Sequence, residues 1–102
     1  MPIEGSGAGE ESANGVYIFD CSVLGKIMFT RRGAYGGCIS KFKIYAQSEQ
    51  YCISATPEGS NEVILYYRTI LRSQESCLPP KTEWNTRPYI FGPAPTLRIM
   101  NP

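Results

Sequence analysis

The sequence predicts an all-β fold, a small domain stapled by disulfides, and three observations carry that prediction. Charged residues are sparse at 19% while Phe, Trp and Tyr reach 12%, a balance that suits strands better than a helical bundle. From residue 16 onward the chain breaks into short β-branched and aromatic runs separated by Gly, Pro and Asn, the pattern of strands and turns. Four cysteines, Cys21, Cys38, Cys52 and Cys77, stand with no histidine in 102 residues. An even count in so small a chain reads as two disulfides formed in an oxidising compartment. Four reduced thiols in a cytosolic protein are the competing reading. At this length the chain makes one domain, whose modest core gains from covalent staples.

Residues 1–14 hold one large aliphatic, Ile3, among Gly, Ser and Glu. So little apolar surface does not repay the entropy of ordering, which predicts a flexible tail. Asn14-Gly15 opens the folded body with a turn signal. Val16-Tyr17-Ile18-Phe19 leads into Asp20 and Cys21 as a first strand, and residues 26–30 form a second after Gly25. Three glycines in the five residues 33–37 predict a loop, beginning at Arg31-Arg32. Residues 38–46 alternate: Phe42, Ile44 and Ala46 point one way, Lys41, Lys43 and Tyr45 the other. Residues 50–56 read as the next strand, closed by Pro57-Glu58-Gly59. Residues 61–71 fit either a helical stripe or a strand, and their Val, Ile, Thr and Tyr content favours the strand. Beyond Leu78 six prolines, from Pro79 to Pro102, disfavour regular interior structure. Short extended pieces at 89–91 and 96–100 are compatible with them. The domain plan is a tail at 1–14, a β-domain at 15–78 and a Pro-rich extension at 79–102 docked upon it. Trp84 is the plug that docks it, since a long undocked tail is uncommon in a compact domain.

Composition also bounds function. Without imidazole the usual general base at neutral pH and every Ser-His or Cys-His pair are missing, and no Cys-x-x-Cys spacing suggests zinc. Asp20 is the sole aspartate, and Glu49, Glu58, Glu62, Glu75 and Glu83 fall at turns or run edges without pairing. Ser40 and Lys41, as adjacent strand residues, face opposite sides and make no Ser-Lys device. The expectation is a non-enzymatic protein without metal or cofactor. The body from Gly15 onward carries all ten basic residues and six of the nine acidic ones, a mild excess that favours an acidic protein partner over nucleic acid. Arg31-Arg32 with Arg68 and Arg72 is the alternative phosphate-binding set, weighed against solvated loop and edge positions. Seven tyrosines exceed what one core needs, so some are expected at a binding surface. No run approaches the roughly 18 apolar residues of a membrane helix. The polar first residues show no secretion signal, so the disulfide reading requires a leader already removed.

Several residues of this pattern have counterparts in a known family. Cys21 in the first strand, Met28-Phe29 ahead of Arg31-Arg32, then Gly37-Cys38-x-Ser40-x-Phe42-Lys43 and a strand carrying Ile53 and Ser54 resemble the MAX effectors of plant-pathogenic fungi, most of all the AVR-Pik group. The likeness covers about a third of the chain. Cys52, Cys77, the long run 61–71 and the Pro-rich extension depart from that group. The resemblance implies a six-strand β-sandwich, a Cys21–Cys38 disulfide and with it Cys52–Cys77. It implies a secreted virulence or avirulence effector, translocated into host cytoplasm, that binds a host protein such as a heavy-metal-associated domain or an immune receptor. RNase-like fungal effectors, catalytically inactive and binding RNA or host protein, are a second reading, though the glycines sit where that fold needs its helix. A small cytosolic β-domain with free thiols that binds nucleic acid or protein is the third. A monomer with Lys41, Lys43, Tyr45, Arg31 and Arg32 as partner contacts, using strand-edge pairing and basic and aromatic side chains, is the expectation carried forward.

Overall fold

A computed structural model describes residues 2–23, 25–35, 37–47, 50–69, 79–82, 84–87, 90 and 92–100, excepting the side chains of Val23, Tyr35 and Thr69. Among these residues the chain forms β1 (Ile3–Ser6), a 3-10 turn (Glu11–Ala13), β2 (Gly15–Val23), β3 (Lys26–Tyr35), β4 (Cys38–Gln47), β5 (Gln50–Pro57), β6 (Ile64–Thr69), β7 (Trp84–Thr86) and β8 (Thr96–Ile99). All pairings are antiparallel, in one sheet of order β7-β6-β5-β4-β3-β2-β1-β8. The all-β class is therefore correct. Six strands in a sandwich are not: eight strands make one sheet that rolls on itself. Its edges approach where the Leu97 N–H donates to the Lys81 carbonyl at 2.9 Å, just ahead of β7.

The roll encloses the core. Ile3, Tyr17, Phe29, Phe42, Ile44, Tyr51, Ile53, Tyr66, Tyr67, Trp84 and Leu97 all turn inward and are buried. A bulge between Ile53 and Ser54 opposite β6 lets the neighbouring Tyr66 and Tyr67 both point inside, where strict alternation would put one out. Phe42 meets Tyr66 edge-on at 5.7 Å between centroids, and Tyr66 meets Tyr67 at 6.2 Å, the geometry ring quadrupoles prefer.

The two ends of the chain differ most from expectation. The supposed tail is β1, laddered to both β2 and β8, with Ile3 buried against them. It contributes backbone hydrogen bonds rather than apolar area, so its polar composition is misleading. Residues 8–13 then cap one mouth of the roll. The Asn14 side chain accepts from the Ala8 N–H and donates to the Ala8 carbonyl, and Tyr17 donates to the Ala13 carbonyl at 2.6 Å. The Pro-rich extension supplies β7 and β8, and Trp84 is buried with its indole N–H donating to the Pro80 carbonyl at 3.0 Å. Of the piece expected at 89–91, Tyr89 and Phe91 lie outside the described residues.

Residues 31–35, expected as loop, continue β3. β3 runs as far as Tyr35, which faces Cys38, and Gly37 takes φ 81°, the left-handed conformation that a tight hairpin connection favours in glycine. Gly33 lies within β3, and glycine suits this point because a Cβ there would stand 2.9 Å from Arg31 Nη1 and 3.0 Å from the Phe42 ring. Of the run at 61–71, Ile64–Thr69 form a strand, β6, residues 61–63 precede it outside any strand, and residues 70 and 71 lie outside the described residues.

The Cys21–Cys38 disulfide is overturned. Both thiols are free. Cys21 faces Met28 near one end of β3, while Cys38 faces Tyr35 at the other. Seven strand residues separate those levels by about 20 Å, against about 4–7 Å between the Cα atoms of a disulfide. Cys52 is also free and buried, and Cys77, its expected partner, lies outside the described residues.

Candidate functional site

Strands β3, β4 and β5 are the middle of the roll, and their alternation sorts the predicted contact residues by face. On β4, Phe42 and Ile44 are fully buried while Lys41 is exposed and Lys43 and Tyr45 are half-exposed. Cross-strand pairing puts Arg32 beside Lys41 and Thr56 on its other side, with Thr30 beside Lys43. Paired residues share a face, so the outer surface gathers Thr30, Arg32, Lys41, Lys43 and Thr56. The loop after β5 rises along one edge, where the Glu58 N–H donates to the Ile39 carbonyl at 2.8 Å. An open cleft of about 460 Å³ results, floored by these side chains and walled by Ile39, Pro57, Glu58 and Ser60.

Its electrostatics are positive. Arg32 pairs with Glu58 at 3.4 Å and Lys41 with Asp20 at 3.7 Å, while Lys43 has no ion-pair partner among the described residues. Exposed pairs of this sort contribute little and are readily exchanged. Apolar surface lies alongside: Ile18, 57% exposed, faces Thr30 across the β2–β3 pair, and Ile39, 50% exposed, ends the outward row of β4. Tyr45 extends the same row in the opposite direction, facing Cys52.

Arg31 borders the cleft, but its side chain packs on the opposite face of β3. By parity with Phe29 it turns inward, its guanidinium carbon 4.9 Å from the Phe42 centroid and 5.5 Å from that of Tyr17. Its Nη2 donates to the Ser12 carbonyl, which ties it to the segment capping the roll, and its Nε is buried without a hydrogen-bond partner. Burial raises the Tyr17 hydroxyl to a pKa of about 12, against the opposing pull of Arg31. Tyr67 is likewise raised by burial, opposed by the hydrogen bond its oxygen accepts from the Glu10 N–H at 3.2 Å. Four tyrosines, 17, 51, 66 and 67, are thus core residues. Three of them reach the capping segment through their hydroxyls, which accounts for much of the tyrosine excess.

Arg68 sits on β6 opposite Cys52 and Asn85, apart from Arg32, and Arg72 lies outside the described residues. The four arginines of the alternative phosphate set therefore do not form one face. Burial pushes the Cys52 thiol up, opposed by Arg68, so it is a poor nucleophile at neutral pH. Glu49, Glu75 and Glu83 lie outside the described residues. Among the described residues no cluster of metal-ligating side chains occurs, and no helix is long and apolar enough to cross a membrane.

Of the residues lining the cleft, sequence reasoning named Arg31, Arg32, Lys41 and Lys43 as partner contacts but not Thr30, Thr56, Ile39 or the Glu58 wall. Extending the alternation of β3 past Thr30 was the available signal: it puts Arg32 outward and Arg31 inward. Fold and site define a single-sheet β-roll with a basic, hydroxyl-bearing outer cleft. Comparison with protein families, curated proteins and solved structures finds no match to the chain.

Proposed function

We propose that this protein is a non-enzymatic binding module that docks an acidic surface of a partner protein on the outer face of β3, β4 and β5. The carrying observation is the convergence of Arg32, Lys41 and Lys43 on one open cleft beside exposed Ile18 and Ile39. Charge with adjoining aliphatic surface is the usual composition of a protein-docking face. A cleft whose outward-facing ionisable side chains are Arg32, Lys41, Lys43 and one exposed carboxylate already held by Arg32 favours attraction of an anion over acid–base chemistry. In the effector reading the partner is a host protein, a heavy-metal-associated domain or an immune receptor, and the chain acts after secretion. The partial likeness to MAX effectors supports that setting.

The test is Lys41→Glu with Lys43→Glu in a quantitative binding assay against a partner recovered from host tissue. Affinity is expected to fall tenfold or more, roughly the cost of reversing rim charges, with the circular dichroism spectrum unchanged. Phe42→Ala, on the opposite face of the same strand, is expected to cost about 3–5 kcal/mol of stability. Unchanged binding by the charge-reversed protein removes the cleft from the interface.

One observation favours a second reading, a reduced intracellular β-domain. Cys21 and Cys38 are free and stand at opposite ends of β3, which weakens the disulfide argument for secretion. Both readings use the same docking face and differ in compartment.

A further inference from the structure

The outward row of β4 carries a pattern as well as a charge. Lys43, Lys41 and Ile39 follow one another at two-residue intervals, the first two cationic and the last exposed and aliphatic. Same-face residues two apart on a strand repeat every 6.5–7 Å or so. An extended peptide gives its own alternate side chains the same repeat. Arg32 reinforces the Lys41 level from β3, Thr56 stands beside it on β5, and Thr30 adds a hydroxyl at the Lys43 level.

We infer that the cleft is a template for an extended acidic segment of the form acidic–x–acidic–x–aliphatic. Its first carboxylate lies over Lys43, its second over Lys41 and Arg32, and its aliphatic side chain against Ile39. The inference rests on the protein-binding reading above and names the ligand chemistry of the same face.

Two carboxylates of the chain already act as placeholders for that ligand. Glu58 holds Arg32 at 3.4 Å and Asp20 holds Lys41 at 3.7 Å, while the Lys43 level has no carboxylate upon it among the described residues. Exposed pairs exchange easily, so the ligand's second carboxylate displaces Glu58 from Arg32 and Asp20 from Lys41 together. They compete with every anion but lose most readily to one that reaches all three cations together. Single-stranded nucleic acid also presents regularly spaced anions, but its binding draws on aromatic platforms for the bases, and among the described residues no aromatic side chain lines the cleft.

Fluorescence anisotropy tests this with three labelled probes: the peptide Gly-Glu-Ala-Glu-Ala-Leu-Gly, its isomer Gly-Glu-Glu-Ala-Ala-Leu-Gly, and a single-stranded oligothymidylate. The alternating peptide is expected to bind about fivefold tighter than its isomer, since only its carboxylates match the lysine spacing. Asp20→Asn with Glu58→Gln is expected to tighten the alternating peptide about threefold by freeing both cations. Lys43→Gln, a substitution on the outer face that leaves the core untouched, is expected to erase the preference between the isomers. Equal binding of the two peptides, no binding of either, or tighter binding of the oligonucleotide overturns the inference. The protein-binding reading stands or falls separately. If a natural partner still depends on Lys41 and Lys43 while the alternating peptide fails, the docking face is right and the peptide pattern is wrong.

Discussion

Tyr17 carries the clearest electrostatic signature at the level of single residues. Its hydroxyl is buried, donates to the Ala13 carbonyl, and titrates near 12 rather than 10 because the phenolate is poorly solvated there. A folded-state pKa above the unfolded one means stability is intact below about pH 10 and drains away as the pH rises toward 12. The full loss is roughly 2–3 kcal/mol, the free energy of a two-unit shift. Urea titrations from pH 8 to 11.5 are expected to show this decline, and Tyr17→Phe is expected to flatten it; an identical slope in the variant would assign the effect elsewhere. Cysteines give a second residue-scale prediction. Cys38 is exposed, Cys21 half-buried and Cys52 buried with a raised pKa, so a thiol reagent is expected to modify Cys38 at once and Cys52 only after unfolding. If Cys38 and Cys21 resist alkylation in the unfolded, unreduced protein, they are oxidised and the free-thiol geometry is refuted.

Secondary-structure elements show which parts of the fold the sequence makes legible. β4 was readable because its residues alternate between an apolar core face and a polar face, and Lys41 and Lys43 came with that alternation, whereas β5 is buried on both faces from Tyr51 to Ala55. β6 was readable as a strand through its Ile and Tyr content, while the bulge that turns Tyr66 and Tyr67 to the same side left no local mark. β1 was not readable at all. Its stability comes from ladders to β2 and β8, strands ten and more residues away in sequence, and only Ile3 records its burial. Ile3→Ala is accordingly expected to cost about 2–4 kcal/mol, where a disordered tail would tolerate it without effect; equilibrium denaturation decides. The cap over the roll depends on Arg31, which holds the Ser12 carbonyl while lying between the rings of Tyr17 and Phe42. Arg31→Met keeps most of the packing but removes the hydrogen bond and the cation–π contacts. A glutamate-specific protease is expected to cut after Glu10 or Glu11 several-fold faster in that variant, because local opening of the cap becomes easier.

Closure of the whole sheet is where sequence pattern runs out and topology takes over. The strands in the middle, β2 to β6, succeed one another as a meander, so their pairing costs little loop entropy. The edges are different: β1 and β8 come from opposite ends of the chain, β7 is only three residues long, and the seam is bridged by the Leu97 N–H to Lys81. Holding the edges together requires ordering both termini at once, against few hydrogen bonds and the apolar contribution of Leu97, Ile3 and Trp84. Local stability should therefore grade from the seam inward, with the cleft on its most rigid part. Native-state hydrogen exchange is expected to find the amides of β8 and the Leu97–Lys81 bridge opening first and those of β4, flanked on both sides by long strands, opening only with global unfolding. Leu97→Ala is expected to widen that gap, loosening β1, β7 and β8 while β3, β4 and β5 keep their protection and the cleft keeps its affinity for an acidic peptide. Uniform exchange across all eight strands would mean that the seam is as strong as the centre. A loss of protection in β4 on mutating Leu97 would mean that closure of the roll, rather than the central meander, holds the docking face in shape.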